Sequence, residues 1–309
     1  MSELTRRPDL RTRLVAWVLY LLLRPISGLI PANRLVIHAG RAAIHLACLA
    51  SFPLRGTAVR RIDGKVRGEW VSAPAAEDGA GVILLLHGSG YAICSPRTHR
   101  GFASYLSQYS GLPVFTAQYR RAPESVFPAA EDDVFAAYQW LLANGYRPEQ
   151  ITVAGDSAGG HLAITLTSRA VAEGVPPPAA LALFGPLIDP SFTASFTDKR
   201  IMGNPFSPRG ARRILALYVA DHDIADPRLS VLNGDLGRLP PVQLHYGSLE
   251  VMRADNERFA AQVRSSGGTC VSYEWPGFVH GYWILPRLLP EARRSIEIAA
   301  RFLTSSVLR

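Results

Sequence analysis

The stretch Gly155-Asp156-Ser157-Ala158-Gly159 sets a serine between two glycines, each two positions away. It follows a short apolar run at 151–155 and leads into a segment with helical character. That is the pattern G-x-S-x-G in the strand–turn–helix setting that presents a serine as a nucleophile. A serine on so sharp a turn takes strained backbone angles, and the flanking glycines let strand and helix approach without colliding Cβ atoms. A hydroxyl is a weak nucleophile near neutral pH. Acyl transfer at Ser157 therefore needs a base, an acid to orient that base, and N–H donors for the developing oxyanion.

Other strand ends supply candidates for each. The apolar run at 82–86 ends in His87-Gly88-Ser89-Gly90, glycine-rich backbone that can aim several N–H groups at one point. The backbone N–H groups of Gly88, Ser89 and Ala158 are the expected oxyanion donors. No G-K-[ST] or G-x-G-x-x-G pattern accompanies the loop, which argues against a phosphate cradle. His280, in PGFVHGYW just after the apolar run at 270–274, is placed to act as the base. His245 falls in a strand, His38 and His45 in N-terminal helices, and His161 in the helix after the serine. His87 is expected to brace its own loop. His222 lies between Asp221 and Asp223, and three adjacent residues cannot converge on one ion, so no metal is expected. In this chain order the acid should lie between serine and histidine. Glu250, soon after the run at 242–246, is preferred; Asp255 is the alternative, better placed to begin the next helix, and Asp189 is a third choice. Tyr91 and Asp156, beside the two motifs, are expected to line the substrate pocket.

The elements that must position these residues follow from apolar rhythm. Short continuous runs at 82–86, 113–119, 151–155, 181–184, 242–246 and 270–274 suit strands buried on both faces. Helical segments near 100–109, 129–143, 158–173, 253–265 and 290–303 alternate with them, which predicts an α/β fold with a mostly parallel sheet. Chemistry in such sheets gathers beyond the carboxyl ends of the strands. Before them, TAVRRIDGKVRGEWV predicts an antiparallel hairpin with Asp63 and Gly64 as a two-residue turn at positive φ. The stretch 190–241 is far longer than an ordinary connection and carries a helical segment at 209–220. With two N-terminal helices, the second at about 35–49, it is expected to form a lid. One domain over 1–309, with 1–55 and about 190–230 in a helical cap, is the predicted organisation.

Composition narrows the classes. A chain of 309 residues that is 48% hydrophobic and 19% charged is an ordered globular protein of ample size for a buried site. The net charge of +8 is spread along the chain without an aromatic-interleaved basic motif, so nucleic acid is not an expected partner. Cys48, Cys94 and Cys270 are widely spaced and form no CxxC pair, which fits a reducing cytoplasm better than a disulfide framework. At the front, Arg6, Arg7, Arg11, Arg13, Arg24, Arg34 and Arg41 face only Glu3 and Asp9, around a ten-residue apolar run at 14–23 too short to span a bilayer. Peripheral contact with an anionic membrane and a homodimer are the macromolecular partnerships open to it. Apolar residues at 10–30 with Phe192, Phe196 and Phe206 would either line an apolar pocket or pack lid on core.

Five segments in order give the chain a close resemblance to the hormone-sensitive lipase family, which includes the bacterial family IV esterases. They are HGSGY; YRRAPE with FPAAEDD; GDSAGG; DPRLS followed by LPPVQLHYGSLEVMRAD; and VHGYW. The resemblance implies an α/β-hydrolase core, a helical cap built partly from the N-terminus, no cofactor, and hydrolysis of uncharged carboxylic esters, often of short to medium acyl chain. It also implies Ser157 as nucleophile, His280 as base, Glu250 as the acid, and donors on Gly88, Ser89 and Ala158. Ser89 departs from the all-glycine form of the loop but keeps its backbone N–H. The same site would serve amides, carbamates or lactones, and the fold also serves non-catalytic receptors, which normally lack an intact triad.

Overall fold

The computed structural model describes Leu14, Val18, Leu21 and residues 33–47, 52–88, 90–198 and 207–307. Its centre is an eight-stranded sheet in the order β1-β2-β4-β3-β5-β6-β7-β8. The strands are β1 (Ala58–Asp63), β2 (Arg67–Ser72), β3 (Val82–Leu86), β4 (Val114–Ala117), β5 (Ile151–Asp156), β6 (Leu181–Phe184), β7 (Val242–Gly247) and β8 (Cys270–Trp275). β1 and β2 pair antiparallel, as do β2 and β4; every other neighbour is parallel. All residues of β3 to β7 are buried, which explains why they appear as unbroken apolar runs rather than alternating ones.

The hairpin departs from expectation. Asp63 pairs with Arg67, leaving 64–66 as the connection, and neither Asp63 nor Gly64 has positive φ. Asp63 is drawn into the strand ladder, so the turn is one residue longer than the Asp-Gly pair suggested.

The helices are α1 (Arg34–Ala47), α2 (Pro96–Ser110), α3 (Ala129–Ala143), α4 (Ala158–Ala172), α5 (Thr193–Thr197), α6 (Pro208–Val219), α7 (Arg253–Ser265) and α8 (Pro290–Val307). Strand alternation divides the core into two layers. Ile83, Leu85 and Ala154 meet Phe102 and Leu106 of α2 and Ile296 and Leu303 of α8. Leu84, Leu86 and Val153 meet Val134 and Tyr138 of α3, Leu162 and Leu166 of α4, and Phe259 of α7. Local signals fix the helix ends: Pro96 opens α2 behind Ser95, whose N–H donates to Thr98 Oγ1, and Gly111 closes it at φ +71°. In the long insertion, Ser207 Oγ accepts from Gly210 N–H at the start of α6. Leu14, Val18 and Leu21 are helical and exposed.

One core-facing acid in α3 opposes the fold at high pH. Glu131 is 2% exposed and its Oε2 has no partner. Burial pushes its carboxyl up from the ordinary 4.5 to about 7, against the pull of Arg228 and Arg169. The native state thus holds this proton more tightly than the unfolded chain. The stability it confers is complete below about pH 4.5 and is lost as pH rises through about 7. Glu131→Gln should change urea-unfolding stability by under about 1 kcal/mol at pH 5 yet add about 2–3 kcal/mol at pH 8. An equal effect at both pH values would show that Glu131 does not titrate between them.

Candidate active site

The parallel strands deliver their carboxyl ends to one edge, and the expected catalytic residues lie there. Ser157 follows β5 directly and caps α4, with φ +53° and ψ −121°, a left-handed backbone that is strained for serine. Hydrogen bonds lock it. Its N–H donates to Phe184 O at 2.9 Å, and its carbonyl accepts from Leu187 N–H at 3.0 Å and His161 N–H at 3.1 Å. The glycines are required by contact: a Cβ on Gly159 would collide with the carbonyls of Leu86 and His87, and one on Gly155 with Gly159. α4 therefore starts in direct backbone contact with the end of β3, and Ala158, its first residue, has an N–H with no intrahelical acceptor.

His280 lies in the loop after β8, with Nδ1 2.7 Å from Glu250 Oε1. An ionised carboxylate only accepts, so Nδ1 carries the proton and Nε2 is left with a lone pair. Glu250 is wholly buried after β7, and its second oxygen accepts from Gly247 N–H at 3.0 Å. Gly185, at φ +48°, makes room for this pair, because a Cβ there would collide with Glu250 Oε1 and lie 2.6 Å from the Trp283 ring. Trp283 sets its ring perpendicular to that of His280, with centroids 5.1 Å apart. Asp255 makes a different contact: its Oδ1 is 3.1 Å from Arg258, its Oδ2 has no partner, and burial with the nearby Asp189 carboxylate pushes it up to about 6.

Three expected roles need correction. Gly88 N–H, expected as an oxyanion donor, donates instead to Asp156 Oδ1 at 2.8 Å. Asp156, expected to line the substrate pocket, is 5% exposed and faces inward to this amide and to His99, whose Nε2 is 3.1 Å from the same oxygen but off the hydrogen-bond direction. Burial alone would raise the Asp156 carboxyl, yet His99, Trp283 and His280 outweigh it and hold it below the ordinary range. Tyr91 is 2% exposed with its ring stacked on Tyr218, so it too is a buried support rather than a pocket wall. Ser89 lies outside the described residues, as do Phe206 and most of 10–30. Of the other expected lid aromatics, Phe192 is buried and Phe196 is exposed.

His99 had no signal in the sequence beyond its place on α2. His87 does brace its loop: it stacks on Tyr119 at 4.2 Å, the Tyr119 hydroxyl donates to its carbonyl at 2.6 Å, and burial with nearby His99 holds its ring down to about 3, neutral at physiological pH. His161 Nε2 bonds Leu229 O at 3.0 Å, and His222 Nδ1 bonds Val219 O at 3.0 Å. Among the described residues no group of three or more His, Cys, Asp or Glu is arranged to hold a metal ion.

The model of a family with the alpha/beta hydrolase fold matches residues 83–284. The chain belongs to the hormone-sensitive lipase family of α/β hydrolases. It is 40% identical to an acetyl-hydrolase of Streptomyces hygroscopicus over 79% of this chain and 81% of that protein. It is 34% identical to the carboxylesterase/phospholipase LipF of Mycobacterium tuberculosis over 84% of this chain and 72% of the relative. A crystal structure of an esterase from the bacterial hormone-sensitive lipase family superposes with a TM-score of 0.89 at 30% identity, over 98% of this chain and all of that one. This hydrolase is thus an enzyme of the esterase class. Among its described residues no helix is long and apolar enough to cross a membrane.

The backbone contact beneath Ser157 gives a direct test. Gly159→Ala should destabilise the hydrolase by more than about 2 kcal/mol, because the new methyl meets main-chain atoms that cannot swing away. Gly40→Ala, on helix α1 where a Cβ would meet only Ile93 Cδ1 at 4.0 Å, should be neutral or stabilise by up to about 1 kcal/mol. Thermal unfolding of both variants checks this, and equal melting temperatures would refute the contact argument.

Proposed function

We propose that this enzyme hydrolyses uncharged carboxylic esters through an acyl-enzyme on Ser157. The observation that carries the reading is the His280–Glu250 pair at 2.7 Å, its carboxylate wholly buried, on the sheet edge that also holds the strained Ser157 turn. His280 Nε2 takes the Ser157 proton as Oγ attacks the ester carbonyl. The carbonyl π electrons move onto oxygen, and the oxyanion is held by Ala158 N–H and by amides of the loop beyond Gly88, namely Ser89 and Gly90, since Gly88 N–H is engaged by Asp156. The tetrahedral adduct collapses, His280 returns the proton to the departing alcohol, and the acyl group stays on Oγ. Water, activated by the same imidazole, then releases the acid and restores the serine. Glu250 keeps the imidazole in the Nδ1–H tautomer and steadies its positive charge.

Two features support short acyl groups: the acetyl-hydrolase name of the Streptomyces relative and the insertion helix α6, whose Ile214 and Leu215 crowd Gly90. We assign residues 1–55 and about 190–230 to a cap over this edge. Its attachment includes Arg253 of α7, 1% exposed, whose Nη2 is 2.6 Å from Asp198 just after α5.

Ser157→Ala should abolish turnover of p-nitrophenyl acetate and labelling by a fluorophosphonate while leaving the melting temperature within a few degrees. Glu250→Ala should lower kcat by about a hundredfold or more, and Asp255→Ala should leave it within about tenfold. Activity surviving in Ser157→Ala would overturn the nucleophile, and a collapse confined to Asp255→Ala would overturn the acid.

The exposed Leu14, Val18 and Leu21, one helical stripe in an arginine-rich segment, favour a second reading: the front of the chain docks on anionic lipid. The full-length enzyme should float with phosphatidylglycerol-containing vesicles, and replacing these three residues with Gln should release it. Equal flotation of both proteins would refute the docking.

A further inference from the structure

The loop after β3 turns left-handed twice in succession, with φ +60° at Gly90 and φ +59° at Tyr91. Glycine takes this conformation freely, whereas tyrosine is strained there and persists only if its surroundings hold it. Polar anchorage of Tyr91 is slight. Its carbonyl accepts from Ala122 N–H at 2.9 Å, and its buried hydroxyl has no partner. Its ring, by contrast, is clamped. Tyr218 of α6 stacks on it with centroids 3.9 Å apart and planes 15° from parallel, and His161 of α4 meets it at 5.9 Å and 88°.

Tyr218 is itself fixed. It is 1% exposed, its carbonyl accepts from Phe127 N–H at 2.8 Å, and its hydroxyl meets the backbone of Glu131. The same helix presses on the other left-handed residue, since a Cβ on Gly90 would lie 3.0 Å from Ile214 Cγ2 and 3.7 Å from Leu215 Cδ2. One helix of the insertion therefore touches both left-handed positions of the loop, next to the amides proposed to bind the oxyanion.

We propose that Tyr218 is a positioning residue for ester hydrolysis: its stack on Tyr91 holds the left-handed backbone at 90–91 and with it the aim of the loop amides. This rests on Ser157 being the nucleophile. Tyr218 touches no reacting atom. Its contribution passes through donors that act on the developing oxyanion, so it belongs to kcat rather than to KM.

The test measures kcat and KM for p-nitrophenyl acetate in the wild type, Tyr218→Phe, Tyr218→Ala and Ser157→Ala, each confirmed folded by circular dichroism. Phe keeps the ring and should stay within about threefold in kcat. Ala should lose roughly tenfold to a hundredfold in kcat with KM within about threefold. If Tyr218→Ala does not fold, Tyr218→Leu fills much of the space without a flat ring and carries the same expectation. In a Tyr91→Gly background, where positive φ needs no support, the penalty of Tyr218→Ala should shrink to within about threefold, a coupling that general destabilisation would not produce. An unchanged kcat in Tyr218→Ala, an equal loss in Tyr218→Phe, or an undiminished penalty in the Tyr91→Gly background would overturn the proposal. Turnover surviving in Ser157→Ala would overturn the nucleophile assignment beneath it, whereas loss there with full kcat in Tyr218→Ala overturns the role of Tyr218 alone.

Discussion

A buried carboxylate, that of Asp156, ties two strand ends together at the edge that holds the candidate active site. The residue ends β5 immediately before Ser157, and its Oδ1 receives the Gly88 N–H from the loop after β3. The Ser157 turn and the loop after β3 are therefore joined across adjacent strands. His99 approaches the same oxygen from α2, so a third element bears on the junction. A charge held below its ordinary protonation range despite burial shows that these partners more than offset the cost of removing it from water. An apolar residue at position 156 would leave the Gly88 amide and His99 without that charge, and the loop would lose its register with the serine.

The His280–Glu250 pair obeys the same logic one strand further along. Glu250 is wholly buried, and both carboxylate oxygens are used, one by the imidazole and one by Gly247 N–H. Such a carboxylate has little freedom to swing, so it fixes the ring orientation rather than following it. Asp255, on the first turn of α7, instead keeps one buried oxygen unpartnered and stands near another carboxylate, Asp189. That environment disfavours its charge, which is the reverse of what an orienting acid beside an imidazolium requires. The longer glutamate side chain suits the position because Gly185 removes the one Cβ that would block it.

Much of this edge was legible from residue types. Strands β3 to β7 are buried on both faces, so their sequences are continuous apolar runs bounded by turn residues, and the ends of β5 and β7 locate Ser157 and Glu250, while His280 follows β8, a partly exposed edge strand. What escaped depends on contacts between distant pieces of chain. The glycine-rich motif after β3 announces amides but not their direction, and Gly88 is turned away by a carboxylate far along the chain. His99 sits on an ordinary helical surface pattern, and only the packing of α2 against the end of β5 gives it meaning. The hairpin turn departs from the local preference of an Asp-Gly pair because ladder pairing of Asp63 with Arg67 prevails over it.

The insertion follows a different rule from the sheet. Its helix α6 carries no motif, yet it reaches the loop after β3 through flat stacking of Tyr218 on Tyr91, and the segment after α5 is bound to α7 through Arg253 and Asp198. A buried arginine paired with acids is costly to separate, because breaking it leaves an uncompensated charge in the interior. The Tyr218 ring that supports Tyr91 and the Asp198 partner of Arg253 thus come from the same insertion, one beside the loop after β3 and the other beside α7. Ser157 and the His280–Glu250 pair, by contrast, are held at strand ends. Under the proposed assignment the serine and its base rest on strand ends, while the loop amides rest in addition on a helix of the insertion.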